Sequence, residues 1–171
     1  MRKSFTIIEL LAVLSIIAIL STMTFFGIKS SQSNFSVLRS GFALAAEIRK
    51  AQEWALGQKN GTTTYGVYVK KGNPPDDPGE IILFADNNNK SYQSGEEEED
   101  FIRSLNGLEK GVFIESTSPN VPLNIAFEAP QPTVYFDRST STDEAEIVLS
   151  NGSFNVKVKV NRAGLIWVTT E

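Results

Sequence analysis

Hydrophobic and polar positions along the chain fall into three regimes. The first covers residues 5–28, which are apolar or small hydroxyl-bearing except for one charge, Glu9. A helix over this run would extend roughly 36 Å at about 1.5 Å per residue, enough to cross a bilayer core of about 30 Å. The second regime follows a short polar stretch, residues 30–34. Val37, Gly41, Leu44, Ile48, Ala51 and Ala55 recur in steps of four and three. Phe35, Leu38, Phe42 and Ala45 widen the stripe, and Arg39, Glu47, Lys50 and Glu53 take the other side. The pattern predicts an amphipathic helix with one buried face, stopped near Gly57.

From Thr62 the period becomes two. Alternation predicts strands over 64–70, 81–85, 111–115, 123–127 and 133–136, with proline- and glycine-rich loop over 71–79 and polar loop over 86–100. The clearest segment is the last. Residues 145–149, the Asn151-Gly152 turn and residues 154–160 read as a hairpin, and a second turn over 161–164 leads into 165–168. Val156, Val158 and Val160 alternate with Lys157 and Lys159, so one face is dry and the other wet. The fold class is therefore α+β: a long N-terminal helix packed on an antiparallel β-sheet.

The first run does not read as an ordinary secretory signal. Such a signal has a short apolar region of about 7–15 residues and a small-residue exit, whereas this run is longer and lacks that exit. Arg2 and Lys3 precede it, which favours a cytoplasmic N-terminus. A carboxylate inside such a segment is costly and marks a partner or a function. Ala12, Ser15, Ala18 and Ser21 fall at three-residue steps and could let helices approach closely.

Composition narrows the chemistry. The chain has 171 residues and a formal net charge of −4. It has no cysteine and no histidine, which excludes disulfides, Ser-His and Cys-His catalysis, and most zinc sites. No catalytic site is legible, and no cofactor is called for. One loop invites a calcium test: Asp86, Asn88 and Glu97 occupy the first, third and twelfth positions of a calcium-loop template, although Lys90 stands where an oxygen ligand belongs. Lys157, Lys159 and Arg162 form a small basic group that could meet phosphate, in a chain whose overall charge makes nucleic-acid binding unlikely. The pairs Tyr65/Tyr68 and Trp54/Trp167 read as core aromatics.

The short basic leader, the run Phe5, Thr6, Ile7, Ile8, Glu9, Leu10, Leu11 and the long apolar helix resemble the type IV pilin and pseudopilin superfamily. The resemblance implies that a prepilin peptidase cuts between Ser4 and Phe5. Ser4 stands where the family has glycine. The new amine of Phe5 would be methylated, and Glu9 would meet that amine on a neighbouring subunit. The implied boundaries are a leader over 1–4, a transmembrane and assembly helix over 5–28, an amphipathic continuation over 29–57 and a β-rich domain over 58–171. The stretch from Leu38 to Ala55 and the strand order further resemble H-type minor pseudopilins of type II secretion and related minor pilins. The implied role is a structural subunit of a pseudopilus or pilus, not an enzyme. Its implied partners are other pilins and an inner-membrane assembly platform. Its implied location is the bacterial inner membrane, then the filament. The alternative is a pilus-associated binding module for DNA or a surface ligand.

Overall fold

The computed structural model describes residues 6–86, 89–95, 97–100, 107–130, 133–139 and 141–170, and of residues 23–30, 60 and 97–100 the backbone alone. Helix α1 runs Ile7–Leu56. By internal packing the chain divides into two units, Met1–Phe35 and Ser36–Glu171.

In the first unit the helix is apolar on every described face. Its described Ile, Leu and Val side chains are all exposed, from Ile7 at 81% to Val13 at 47%. Ser15 and Ser21 turn their hydroxyls back onto the carbonyls of Leu11 and Ile17, at 2.9 and 2.7 Å. Thr22 does the same to Ile19 at 2.7 Å. Each of these three hydroxyls thus donates within its own helix.

In the second unit α1 packs on the β domain through the predicted stripe. Val37, Leu44, Ala45, Ile48 and Ala51 are fully buried, and Ala55 nearly so. Gly41 is required by proximity: a Cβ there would lie 2.7 Å from Cγ1 of Val156. Two members of the widened stripe depart from expectation. Phe42 is exposed at 56%, and Phe35, the last residue of the first unit, at 62%. Glu47, expected on the wet side, is buried, and Lys50 Nζ lies 3.0 Å from its Oε1. The buried face is therefore rotated toward Glu47, which a buried charge tolerates only because it is paired. The helix ends as expected, but the left-handed residue is Gln58 (φ 46°), not Gly57. Gly57 still donates its N–H to the Glu53 carbonyl at 2.9 Å. A short 3-10 turn, Lys59–Gly61, follows.

The strands are β1 (Thr64–Lys70), β2 (Glu80–Asp86), β3 (Glu97–Asp100), β4 (Phe113–Ser118), β5 (Leu123–Glu128), β6 (Thr133–Phe136), β7 (Glu144–Ser150), β8 (Asn155–Asn161) and β9 (Ile166–Thr170). They form two antiparallel sheets, not one. The five-stranded sheet has the order β3-β2-β1-β5-β6, and the four-stranded sheet has the order β4-β7-β8-β9. The predicted meander is β7-β8-β9, with β4 added at its edge. Strand β3 lies within the stretch read as loop, because its acidic residues hide the period. Strand β4 starts two residues late: Gly111 is left-handed (φ 84°) and Val112 still donates to Glu109 in a turn. Asn151 and Gly152 open a four-residue loop, since Ser150 pairs with Asn155. Only Gly152 of the two has positive φ (87°), so this is not a two-residue primed turn.

One apolar cluster joins both sheets and the helix. Tyr65, Val67, Leu83, Ile125 and Phe127 enter from the first sheet, and Ile114, Ile147, Leu149, Val156 and Val158 from the second. Strand β1 is buried along most of its length because both faces are covered. Gly66 sits at the tightest approach, where a Cβ would lie 2.6 Å from the Ile125 carbonyl oxygen and 2.5 Å from Cζ of Phe84. Backbone cannot yield there. Gly66→Ala is expected to destabilise the domain by about 1–3 kcal/mol. Thermal unfolding of the detergent-solubilised chain checks this, and an unchanged midpoint would contradict the packing described.

Candidate functional site

The start of α1 places Glu9. Thr6 is the residue before the first helical turn, and its carbonyl accepts the N–H of Leu10 at 3.2 Å. The Thr6 N–H and the Thr6 hydroxyl both donate to Oε2 of Glu9, each at 2.9 Å. The Glu9 N–H donates back to Oγ1 of Thr6 at 3.3 Å. This is a reciprocal capping box, which satisfies backbone donors that a helix start leaves over. The sequence carried the signal: Thr6 and Glu9 stand in the T-x-x-E spacing, a role that the reading of Glu9 as an assembly group passed over. Oε1 accepts no hydrogen bond among the described residues. Ser4 and Phe5 lie outside those residues. Among the described residues no helix is long and apolar enough to cross a membrane; the described side chains of the apolar run stop at Thr22, and the expected span continued to Ile28.

The loop after β2 is strapped to the outer face of the first sheet. The Asp86 carboxylate, 1% exposed, accepts the backbone N–H groups of Asn89, at 3.2 and 3.1 Å, and of Lys90. Lys90, left-handed at φ 61°, then reaches Glu128, Nζ to Oε1 2.7 Å. The Tyr135 hydroxyl donates to the other oxygen of Glu128 at 2.8 Å, and the Lys90 ammonium lies 4.5 Å from the Tyr135 ring centre. Further along, the Tyr92 N–H donates to Oδ1 of Asn124 at 3.0 Å, and its ring packs on Tyr68 at 4.8 Å and Phe84 at 6.0 Å. Asn124 is itself held by Asp137, which accepts its N–H and its side-chain amide at 2.8 and 3.0 Å.

The calcium candidate draws on this loop. Asn88 and the side chain of Glu97 lie outside the described residues, and Asp86 is engaged with backbone donors. Among the described residues no group of three or more acidic or imidazole side chains is placed to hold a metal ion.

The basic group on β8 is not isolated. Lys159 lies 2.6 Å from Glu144 and 3.2 Å from Glu146, and Lys157 lies 3.6 Å from Glu146. The register explains it: Lys159 faces Glu146 across the β7–β8 ladder. Arg162 lies in the turn beyond β8, where its backbone N–H donates to the Asp143 carbonyl at 3.0 Å. The two lysines thus meet carboxylates across the strands, which leaves little net field for phosphate. Of the aromatic pairs, Tyr65 is fully buried with its hydroxyl on the Lys59 carbonyl at 2.6 Å. Trp54 packs edge-on against it at 5.7 Å under the ammonium of Lys59. Trp54 and Trp167 are half-buried, and Trp54 packs against the apolar core cluster.

Residues 1–25 match a family model described as the prokaryotic N-terminal methylation motif. That motif is the type IV prepilin signature and supports membership of the type IV pilin and pseudopilin superfamily. No curated protein and no solved structure gave a significant match.

The strap carries a pH dependence. The hydrogen bond from Lys90 holds the Glu128 carboxyl below its ordinary value of 4.5. The hydrogen bond to Glu128 holds Lys90 above 10.5 and Tyr135 above 10.0. A lowered carboxyl contributes stability that is present above its unfolded value and is lost as pH falls through its folded value. A raised lysine or phenol contributes stability that is lost as pH rises beyond its unfolded value. The strap is therefore strongest between about pH 5 and about pH 10. Glu128→Gln is expected to lower stability by about 1 kcal/mol at neutral pH, with the deficit shrinking below about pH 4. Denaturant unfolding of both proteins across pH checks it; a deficit independent of pH would contradict the charge assignment.

Proposed function

We propose that this type IV pilin-like chain, whose residues 1–25 carry the prepilin signature, is a minor pseudopilin or minor pilin that enters a filament through its N-terminal helix. On this reading the basic leader stays cytoplasmic, residues 5–28 cross the inner membrane and the β domain lies outside it. Prepilin peptidase removes residues 1–4, the amine of Phe5 is methylated, and the processed chain joins other pilins on an inner-membrane platform. Type II secretion is the favoured system, because the stretch from Leu38 to Ala55 resembles H-type subunits.

The observation that carries the reading is the state of Glu9. One of its oxygens is committed to the helix cap and the other accepts nothing among the described residues. In hydrocarbon an ammonium is the partner that offsets the desolvation of such a group, and removing either partner leaves a costly charge. A processed Phe5 amine on a neighbouring copy supplies that ammonium. The apolar helix around it, exposed on every described face in the single chain, supplies packing area for the same contact.

Two substitutions separate assembly from capping. Thr6→Ala removes the hydroxyl from the cap and keeps the carboxylate, whereas Glu9→Ala removes the carboxylate and the two hydrogen bonds it accepts, and keeps the Thr6 hydroxyl as acceptor for the N–H of residue 9. Glu9→Ala is expected to leave membrane insertion intact and to cut incorporation into filaments at least tenfold, while Thr6→Ala cuts it much less. Sheared-filament fractions probed for the β domain measure this. Equal loss in both variants would reduce Glu9 to a helix cap. The terminus itself is checked by mass spectrometry of the filament-associated chain, which should begin with methylated Phe5. Ser4→Gly should raise the processed fraction.

A further inference from the structure

We propose that the open end of the four-stranded sheet is a binding site for an organic cation, an alkylammonium or alkylguanidinium head group, held by Glu115. The site is a cavity of about 340 Å³ lined by Phe113, Glu115, Ser150, Ser153, Phe154 and Asn155. That volume lies at the low end of the range for small-molecule pockets, and it suits a head group with a short alkyl stem.

The local fold explains why Glu115 is there. Strand β4 pairs with β7 in regular register at Phe113 and Ile114, opposite Ser150 and Leu149. The next ladder pair is Ser116 with Val148, so Glu115 is the extra residue of a bulge. A bulge re-aims a side chain and interrupts pairing, and bulges gather beside binding sites. The inserted residue here lines the cavity between the Phe113 end of β4 and the β7–β8 loop.

That loop is fixed. Oδ1 of Asn151 accepts the N–H groups of Ser153 and Phe154, both at 2.9 Å. The Ser150 hydroxyl oxygen, on a residue 2% exposed, accepts the Gly152 N–H at 3.0 Å. The rim carrying Phe154 is thus formed before any ligand arrives, which limits the ordering cost of binding.

Charge decides the ligand class. On the neighbouring part of this sheet the carboxylates of Glu144 and Glu146 are matched by Lys157 and Lys159. Glu115 is outside that ladder and makes no ion pair among the described residues. A carboxylate at the edge of a cavity with two phenyl side chains in its wall attracts a cation by Coulomb force, and the ring faces add cation–π attraction. The formal net charge of −4 favours the same sign of ligand. An anion would meet Glu115 as a like charge, and a purely apolar ligand would leave that carboxylate desolvated without compensation. The head group could belong to a free amine or to a lysine or arginine side chain of a protein partner.

The test titrates the full chain in nonionic detergent with n-butylguanidinium, n-butylammonium and the neutral isostere n-butylurea, followed by NMR of backbone amides. Saturable shifts at Phe113, Glu115 and Phe154 are expected with the two cations and not with the urea. Glu115→Gln should weaken binding at least tenfold. Glu144→Gln, which alters the paired ladder, should change it by less than twofold. Phe154→Leu, a second variant that keeps the carboxylate, should weaken it severalfold. Blocked arginine and lysine amides then distinguish the sources: tighter binding than the bare alkyl cations assigns a protein side chain, and weaker binding assigns a free amine. Equal binding of butylurea, full affinity in Glu115→Gln, or no saturable shift at millimolar probe would overturn the proposal. None of these readouts depends on filament entry, so its failure leaves the assembly role untouched.

Discussion

A carboxylate in an apolar helix has to be answered by donors within its reach, and that constraint organises the N-terminal unit. Thr6 supplies two donors to one oxygen of Glu9, and Glu9 returns its N–H to the Thr6 hydroxyl. The cap secures the first turn of α1 without exhausting the carboxylate. On the proposed reading, cutting before Phe5 would create an ammonium one residue ahead of the cap. The helix N-terminus carries a positive partial charge, so an ammonium there is disfavoured unless an anion lies near it. The Glu9 of the same chain is already turned onto its own cap. A second copy in register would bring a carboxylate to that terminus and meet both charges at once. Helix capping and register then become two uses of one side chain, not competing explanations of it.

The domain unit solves a different problem, holding a helix to a sheet at close range. Small groups do this: Ala45, Ala51 and Ala55 are buried in the helix face, and Gly41, with no room for a methyl, lets α1 lie close to Val156 of β8. Polar contacts then fix rotation and slide. Arg49 donates to the Ile166 carbonyl at 3.0 Å and Gln52 to the Gly164 carbonyl at 3.3 Å, both at the turn into β9. The Ser40 hydroxyl oxygen accepts the Glu109 N–H at 3.0 Å on another side. Apolar burial supplies most of the free energy, and these directed bonds select one orientation among several that would bury similar area.

What the sequence disclosed follows from the range of each signal. Helix period and strand alternation are local, and they located α1, β1, β2, β5, β6 and the meander to within a few residues. Partner choice is not local. Nothing in the alternation of residues 64–70 says that β1 pairs with both β2 and β5, or that β4 crosses to the edge of β7, so one expected sheet became two. Strand β3 is four acidic residues and carries no apolar period; β2 recruits it by backbone pairing, across a register shift at Leu83 and Phe84. Phe35 and Phe42 read as core because they are apolar, and Glu47 as wet because it is charged, yet both phenylalanines are exposed and Glu47 is buried beside Lys50. At the N-terminus the residues of interest were legible, but the partner of Glu9 was not. A T-x-x-E cap and a waiting anion share one spelling. The bulge that produces the Glu115 cavity left no trace in the alternation.

The distribution of charge over the domain bears on how the chain associates. Lys157 and Lys159 are matched by glutamates, Lys70 lies near Glu80 at 3.6 Å, and Arg39 meets Glu109 at 3.0 Å. Exposed pairs of this kind contribute little stability, about 0–1 kcal/mol each, but they flatten the surface potential. What steering the net charge of −4 adds beyond these pairs is screened within about 10 Å at ordinary salt. On the proposed reading the apolar helix of the first unit would associate by packing in hydrocarbon, which is largely indifferent to salt. On the proposed readings, association through α1 would be separable from recognition by the domain, where Glu115, which makes no ion pair among the described residues, stands apart from the paired glutamates of β7. Were both proposals to hold, such a subunit would keep its assembly surface and change its ligand by altering one bulge and one loop.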